Sequence, residues 1–266
     1  MPEQMNHPSH GPQEIREAVR IHTNQIEDAC IDKDCIEDLR VYLTEPAQNA
    51  LNAAPGARAR SAELLHVYID VSEIAYKPGH YAADLTFLYR IWGETVNPPA
   101  RPVPLEGLAV FSKRLVLFGG ISDARVFSSA CTGFSPESVY RKAVPDCVVE
   151  AVDPMVLSTK LVEIRPEDPV MPLPEIPIPV ESLFEAPLAL QNCPKQLLVT
   201  LGQFSTVRLE RGAQLVIPAY EYSVPQKTCS DDPGTPDEPC DLFARVEFPT
   251  QAFFPRREES KTGPQS

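Results

Sequence analysis

Seven cysteines, five histidines and one run of carboxylates are the side chains here with the chemistry to build a site. Cys30 and Cys35 have four residues between them. Structural zinc sites use closer pairs with a second pair downstream, and Cys131, Cys147, Cys193, Cys229 and Cys240 supply no such pair. Cys229 and Cys240 bracket SDDPGTPDEP, and a bridge closing that loop would contribute about 2–3 kcal/mol in the chain-entropy model. Free thiols fit the same spacing. An odd cysteine count is what pairing between chains would leave. The histidines, His7, His10, His22, His66 and His80, form no HExxH pattern, and no GxSxG elbow or GxxxxGK[ST] loop is present. Gly119–Gly120 follows an apolar run but opens no helix, so it reads as a hairpin turn. Asp28, Asp32, Asp34, Glu37 and Asp38 lack the central glycine of an EF-hand loop, and read as a solvated helical face. No catalytic residue, cofactor-binding residue, cofactor or metal ligand is expected. The candidate cross-linking residues are Cys30, Cys35, Cys229 and Cys240.

The elements that would carry these residues change character along the chain. Residues 1–11 are an expected disordered arm. Pro12, Glu14 and Glu17 suit the first turn of a helix, and Ile15, Ala18, Val19, Ile26, Ala29 and Cys30 recur at three- and four-residue spacing. That pattern predicts a helical segment over 12–40. From Leu39 the period becomes two. Residues 63–92 read as a hairpin about the Pro78–Gly79 turn, and 107–130 as another about Gly119–Gly120. Residues 147–164 add a strand or two, and 41–165 is expected to be a β domain. Residues 166–188 hold so many prolines that they cannot be a central strand, yet Val170, Leu173, Ile176 and Ile178 predict a packed segment rather than a free linker. Alternation resumes over 189–250, as a continuation of the β domain or a second β module, with a last strand at 241–249. Residues 251–266 are an expected disordered tail. No 10–15-residue helices separate the strands, so the predicted fold is mainly β: an antiparallel β-sandwich with an N-terminal helical segment and a proline-rich arm.

Composition excludes several classes. The chain has 24 Lys plus Arg against 37 Asp plus Glu, a formal charge of −13. That balance argues against nucleic acid or an anionic membrane as partner, since either needs a basic face. No run of about 18 uncharged apolar residues exists to cross a membrane as a helix. The first twenty residues contain no apolar core of a secretory signal, so synthesis in the cytoplasm without a signal peptide is expected.

IHTNQIEDACIDKDCIEDLRVYLTE at 21–45 resembles the opening of an uncharacterised family of anaerobic spore-forming Firmicutes. YAADLTFLYRIWG, GLAVFSKRLVLFGG and ARVFSSA are similar to the hydrophobic hairpins of the same family, and the likeness covers residues 15–165 best. The resemblance implies a cysteine-containing, self-assembling protein of the spore coat or exosporium. Its partner would be itself, in a homo-oligomer or lattice, or other spore-layer proteins. It places cross-linking first at Cys30 and Cys35, and the location at the spore surface. The alternative is a β-sandwich binding module for a saccharide or small ligand.

Overall fold

A computed structural model describes residues 21–98, 100–122, 144–164, 176–191, 193–215, 243 and 245–253. Seven strands carry the fold: β1 (Ile21–Leu43), β2 (Gly56–Glu73), β3 (His80–Val96), β4 (Pro104–Phe118), β5 (Asp146–Ala151), β6 (Met155–Glu163) and β7 (Lys195–Leu215). They form one antiparallel sheet in the order β2–β3–β4–β1–β7, with β5 and β6 both paired to β7. The sheet curls until β2 lies beside β6, nearly closing a barrel. Ala59 N donates to Thr159 Oγ1 at 3.1 Å and Leu64 N to Asp153 Oδ1 at 2.9 Å across that gap. The expected mainly β, antiparallel architecture is present, but among the described residues it is one curled sheet whose concave face supplies the core, in place of the two packed sheets of a sandwich. Three short helices complete the description: α1 (Glu45–Ala53), α2 (Ile178–Glu181) and α3 (Thr250–Phe253).

The expected N-terminal helix is corrected. Residues 21–43 are a single long strand, and 12–20 lie outside the described residues. Helix propensity is a weak prior, and the long ladder from Ile21↔Leu215 to Val41↔Leu197 outweighs it. A bulge between Ile36 and Leu39 contains Asp38 at φ 49, a left-handed conformation that Asp tolerates. It switches the inward face from Cys30, Asp32 and Ile36 to Val41 and Leu43, because one extra residue exchanges the two faces of a strand. A separate bulge between Ile26 and Asp28 falls inside the Ile26, Ala29 and Cys30 spacing that suggested a helix.

The β2–β3 hairpin matches the expected 63–92 pairing and extends it to Gly56–Val96. Gly79, at φ 78, supplies the turn conformation that an L side chain disfavours. Inward Leu85, Phe87, Tyr89 and Ile91 of β3 pack on Leu105, Ala109 and Leu115 of β4 and Val199, Leu201 and Val207 of β7. Outside the barrel, Val180 and Phe184 bury themselves on Leu88 and Leu108, with Ile176 and Leu188 alongside. Residues 176–188 of the proline-rich stretch therefore lie against the outer face. Arg90 fastens them by donating to Leu183 O at 2.6 Å. The strand expected at 241–249 is not formed in its described part, which turns and bends before α3. Phe243 and Phe248 stack around Phe204 instead. The pairing expected about Gly119–Gly120 falls partly on residues 123–130, outside the described residues.

Candidate functional site

β1 and β4 share a backbone ladder only at Val41–Leu43 and Gly107–Ala109. Beyond it side chains bridge the two strands. Asp28 Oδ2 accepts from Phe118 N at 3.0 Å, and Lys113 Nζ donates to Asp32 Oδ2 at 2.5 Å and to Asp34 Oδ2. The sequence reading of this acidic run as a solvated face is therefore corrected at two positions: Asp32 is 1% exposed and Asp34 15%. Two residues apart on a strand, they share its inward face. The Lys113 ammonium sits 5.3 Å from the centre of the Phe87 ring.

The neighbouring strands complete a polar belt inside an otherwise apolar barrel. Ser205 stands opposite Asp32 and Gln203 opposite Asp34 in the β1–β7 register. Tyr89 lies close enough to Asp34 for the carboxylate charge to hold its phenol protonated, after the larger effect of burial. Tyr89 Oη, Gln203 Oε1 and Ser205 Oγ are buried without a hydrogen-bond partner in the described structure. Burial pushes the Asp34 carboxyl above the ordinary range; Lys113 opposes that shift and the Asp32 charge adds to it.

A second feature lies on the outer surface. At the end of the barrel holding the β2–β3 turn, Tyr76 is 99% and Ile121 72% exposed, with Phe118 and Val116 nearly half exposed. Phe118 and Ile121 both approach Gly79, and His80 packs edge-on to Phe118 at 5.4 Å. Phe118 and Ile121 thus form one exposed apolar cluster beside the turn, with Val116 two residues from Phe118 on the same strand face and Tyr76 standing apart in solvent. A third is a cleft of about 480 Å³ at the β2–β6 gap, lined by Ala57–Arg60 and Val156–Thr159.

The candidate cysteines are separated. Cys30 is wholly buried inside the barrel, while Cys35, five residues on, faces the opposite side and is half-buried. Both sulfurs are in disulfide linkage. They do not bond each other, because five residues of strand span about 16 Å and a disulfide needs Cα atoms within about 7 Å. The helix that was to present Cys30 and Cys35 on an acidic face is replaced by a strand that encloses Cys30. Cys147 and Cys193 are free thiols, and burial pushes Cys147 up to about 11. Cys229 and Cys240 lie outside the described residues. Among the described residues, no three His, Cys, Asp or Glu side chains gather to hold a metal, and no helix is long and apolar enough to cross a membrane.

The polar belt was missed because its members stand on four strands. The signal available was Asp32 and Asp34 at a spacing of two, informative only once the segment is read as β. Compared with protein-family models, curated proteins and solved structures, the chain finds no match.

Proposed function

We propose that this protein is a structural, non-catalytic unit that assembles with further copies of itself, in keeping with a spore surface layer of coat or exosporium type. The exposed apolar rim of Phe118 and Ile121, with Val116 beside them, is the observation that supports the reading, since neighbouring exposed apolar side chains are the usual mark of a protein–protein contact. A rim at one end of a barrel would join either the same rim of a second copy, giving a closed dimer, or a different face, giving a chain or lattice. Cys35, at the barrel surface rather than inside it, is the better placed of the two resemblance-derived cysteines to exchange into a bond between copies.

Light scattering after size exclusion, over a range of concentrations and with and without reductant, tests the proposal. Multimers that grow with concentration are the expected result. A monomer at the highest concentration, before and after oxidation, overturns it. The cleft at the β2–β6 gap favours the second reading, a binding module for a saccharide or small ligand, because its volume falls within the range of ligand sites. Saturable binding of such a ligand by an unchanged monomer would select that reading.

A further inference from the structure

We infer that the outer edge of β2 over Val67–Glu73 is a docking edge for the same strand of a second copy, the two running antiparallel about Ile69. The inference rests on the self-assembly reading and adds a second contact surface to it.

The direction of each backbone group on β2 follows from the hairpin. Ile74 N donates to His80 O, so residue 74 faces β3, and with it the even residues from Ser72 back to His66. Val67, Ile69, Val71 and Glu73 therefore turn their N–H and C=O groups away from β3. Lower on the strand, the bulge between Leu64 and His66 reverses this order, and Leu64 N points outward to Asp153 Oδ1. Ala59 N likewise donates outward to Thr159 Oγ1. Side-chain oxygens thus serve the edge as far as Leu64. Among the described residues, no hydrogen bond reaches the outward groups of Val67–Glu73.

This stretch is bare on both faces. Tyr68 is 38% and Ile69 39% exposed, although successive strand residues point to opposite sides. An open edge rich in β-branched and aromatic residues is a template for another strand. Its own sequence is a complement. A ladder needs outward residues opposite outward residues, so odd positions must face odd positions. Centred on Asp70, the pairing would set two carboxylates face to face, which is destabilising. Centred on Ile69, it sets Tyr68 against the second copy's Asp70, His66 against its Ser72 and Val67 against its Val71. Each Tyr68 phenol then has a carboxylate to donate to, and the two Ile69 side chains meet at the two-fold axis. About six backbone hydrogen bonds form over Val67–Val71.

A two-fold contact closes on itself, but this edge and the rim on β4 together give each copy two surfaces, which is what a continuing chain requires. With so few bonds and little apolar area, the edge is too weak to hold a dimer alone and acts within an assembly that the rim nucleates.

Cross-linking in the assembled protein tests the register. His66→Cys and Ser72→Cys chains, one of them isotope-labelled, are mixed dilute, concentrated until the parent chain forms multimers, oxidised and mapped by mass spectrometry. In this pairing positions 66 and 72 of different copies have Cα atoms about 4.5 Å apart, within disulfide reach, whereas each lies about 20 Å from its own counterpart. The expected result is a 66–72 link between labelled and unlabelled chains in the mixture, and no 66–66 or 72–72 link in either variant alone. Ile69→Pro removes an outward N–H and no β2–β3 bond, so with an unchanged circular dichroism spectrum it should form smaller multimers than the parent chain. Multimers that form without the 66–72 link, or multimers of parent size in folded Ile69→Pro, overturn the edge pairing and leave the self-assembly reading standing. A parent chain that is monomeric at every concentration overturns both. If Ile69→Pro does not fold, the 66–72 link alone decides.

Discussion

Gly107→Ala strikes the one place where β1 and β4 share a backbone ladder. A Cβ at residue 107 would lie 2.7 Å from Tyr42 O, 2.8 Å from Val41 Cγ1 and 2.9 Å from Leu43 Cα. Two of those atoms belong to the backbone and cannot rotate aside, so the strands must separate or slide. Overpacking of this kind costs about 1–3 kcal/mol, and Tm should fall by roughly 2–4 °C for each. The cost is concentrated because only Val41–Leu43 and Gly107–Ala109 join these strands by backbone bonds. Gly56→Ala is the control, since its added Cβ meets nothing nearer than 3.6 Å and a strand alanine loses less backbone entropy on folding than a glycine. Urea unfolding of both variants, with hydrogen exchange measured on peptides covering Val41–Leu43 and Gly107–Ala109, checks the comparison. Gly107→Ala as stable as the parent chain, with unchanged protection there, would refute the close approach of β1 to β4.

Other outcomes follow from single contacts. Tyr89→Phe removes a buried hydroxyl that has no partner, so urea unfolding should show a neutral or stabilising change of up to about 1–3 kcal/mol; a loss above that range would mean the hydroxyl is bonded. Phe184→Ala should cost about 3 kcal/mol by removing the ring that packs on Leu88 and Leu108 and lies beneath Arg90, whereas half-exposed Leu183→Ala should change stability by about 0.5 kcal/mol or less. Cys147, pushed up to about 11 by burial, should react with maleimide far more slowly than a model thiol at pH 8. The same shift stabilises the fold fully below the ordinary thiol value of about 8.5, and that contribution fades as pH rises towards 11, which thermal unfolding across this range would register.

The hairpin of β2 and β3 was legible because Pro78–Gly79 marks a turn between two alternating runs, and both signals are local. β1 was not legible. Its inward positions shift at the Ile36–Leu39 bulge, and its partner β7 lies more than 150 residues away, so nothing nearby in the chain announces the pairing. Closure into a near-barrel follows from that distant pairing together with the β2–β6 approach, and a period of two cannot tell it from a sandwich. The polar belt shows the same dependence: Asp32 and Asp34 look like surface acids until Lys113, Gln203 and Ser205 are brought opposite them. Of the apolar residues expected to pack the proline-rich stretch, Val170 and Leu173 lie outside the described residues, Ile178 is 80% exposed and only Ile176 lies against the barrel wall, where Val180 and Phe184 do the burying. The cysteine spacing carried less, because Cys30 and Cys35 fall on opposite faces of a strand and not on one helical surface.

The apolar rim is the most direct point at which to test assembly. Sedimentation velocity on Phe118→Asp combined with Ile121→Asp places two charges on exposed positions of the rim, where they disturb no core contact. The account predicts that the parent chain sediments as concentration-dependent multimers and that the double variant, with an unchanged circular dichroism spectrum, sediments as a 29.4 kDa monomer. Multimers of undiminished size in the folded double variant would contradict it.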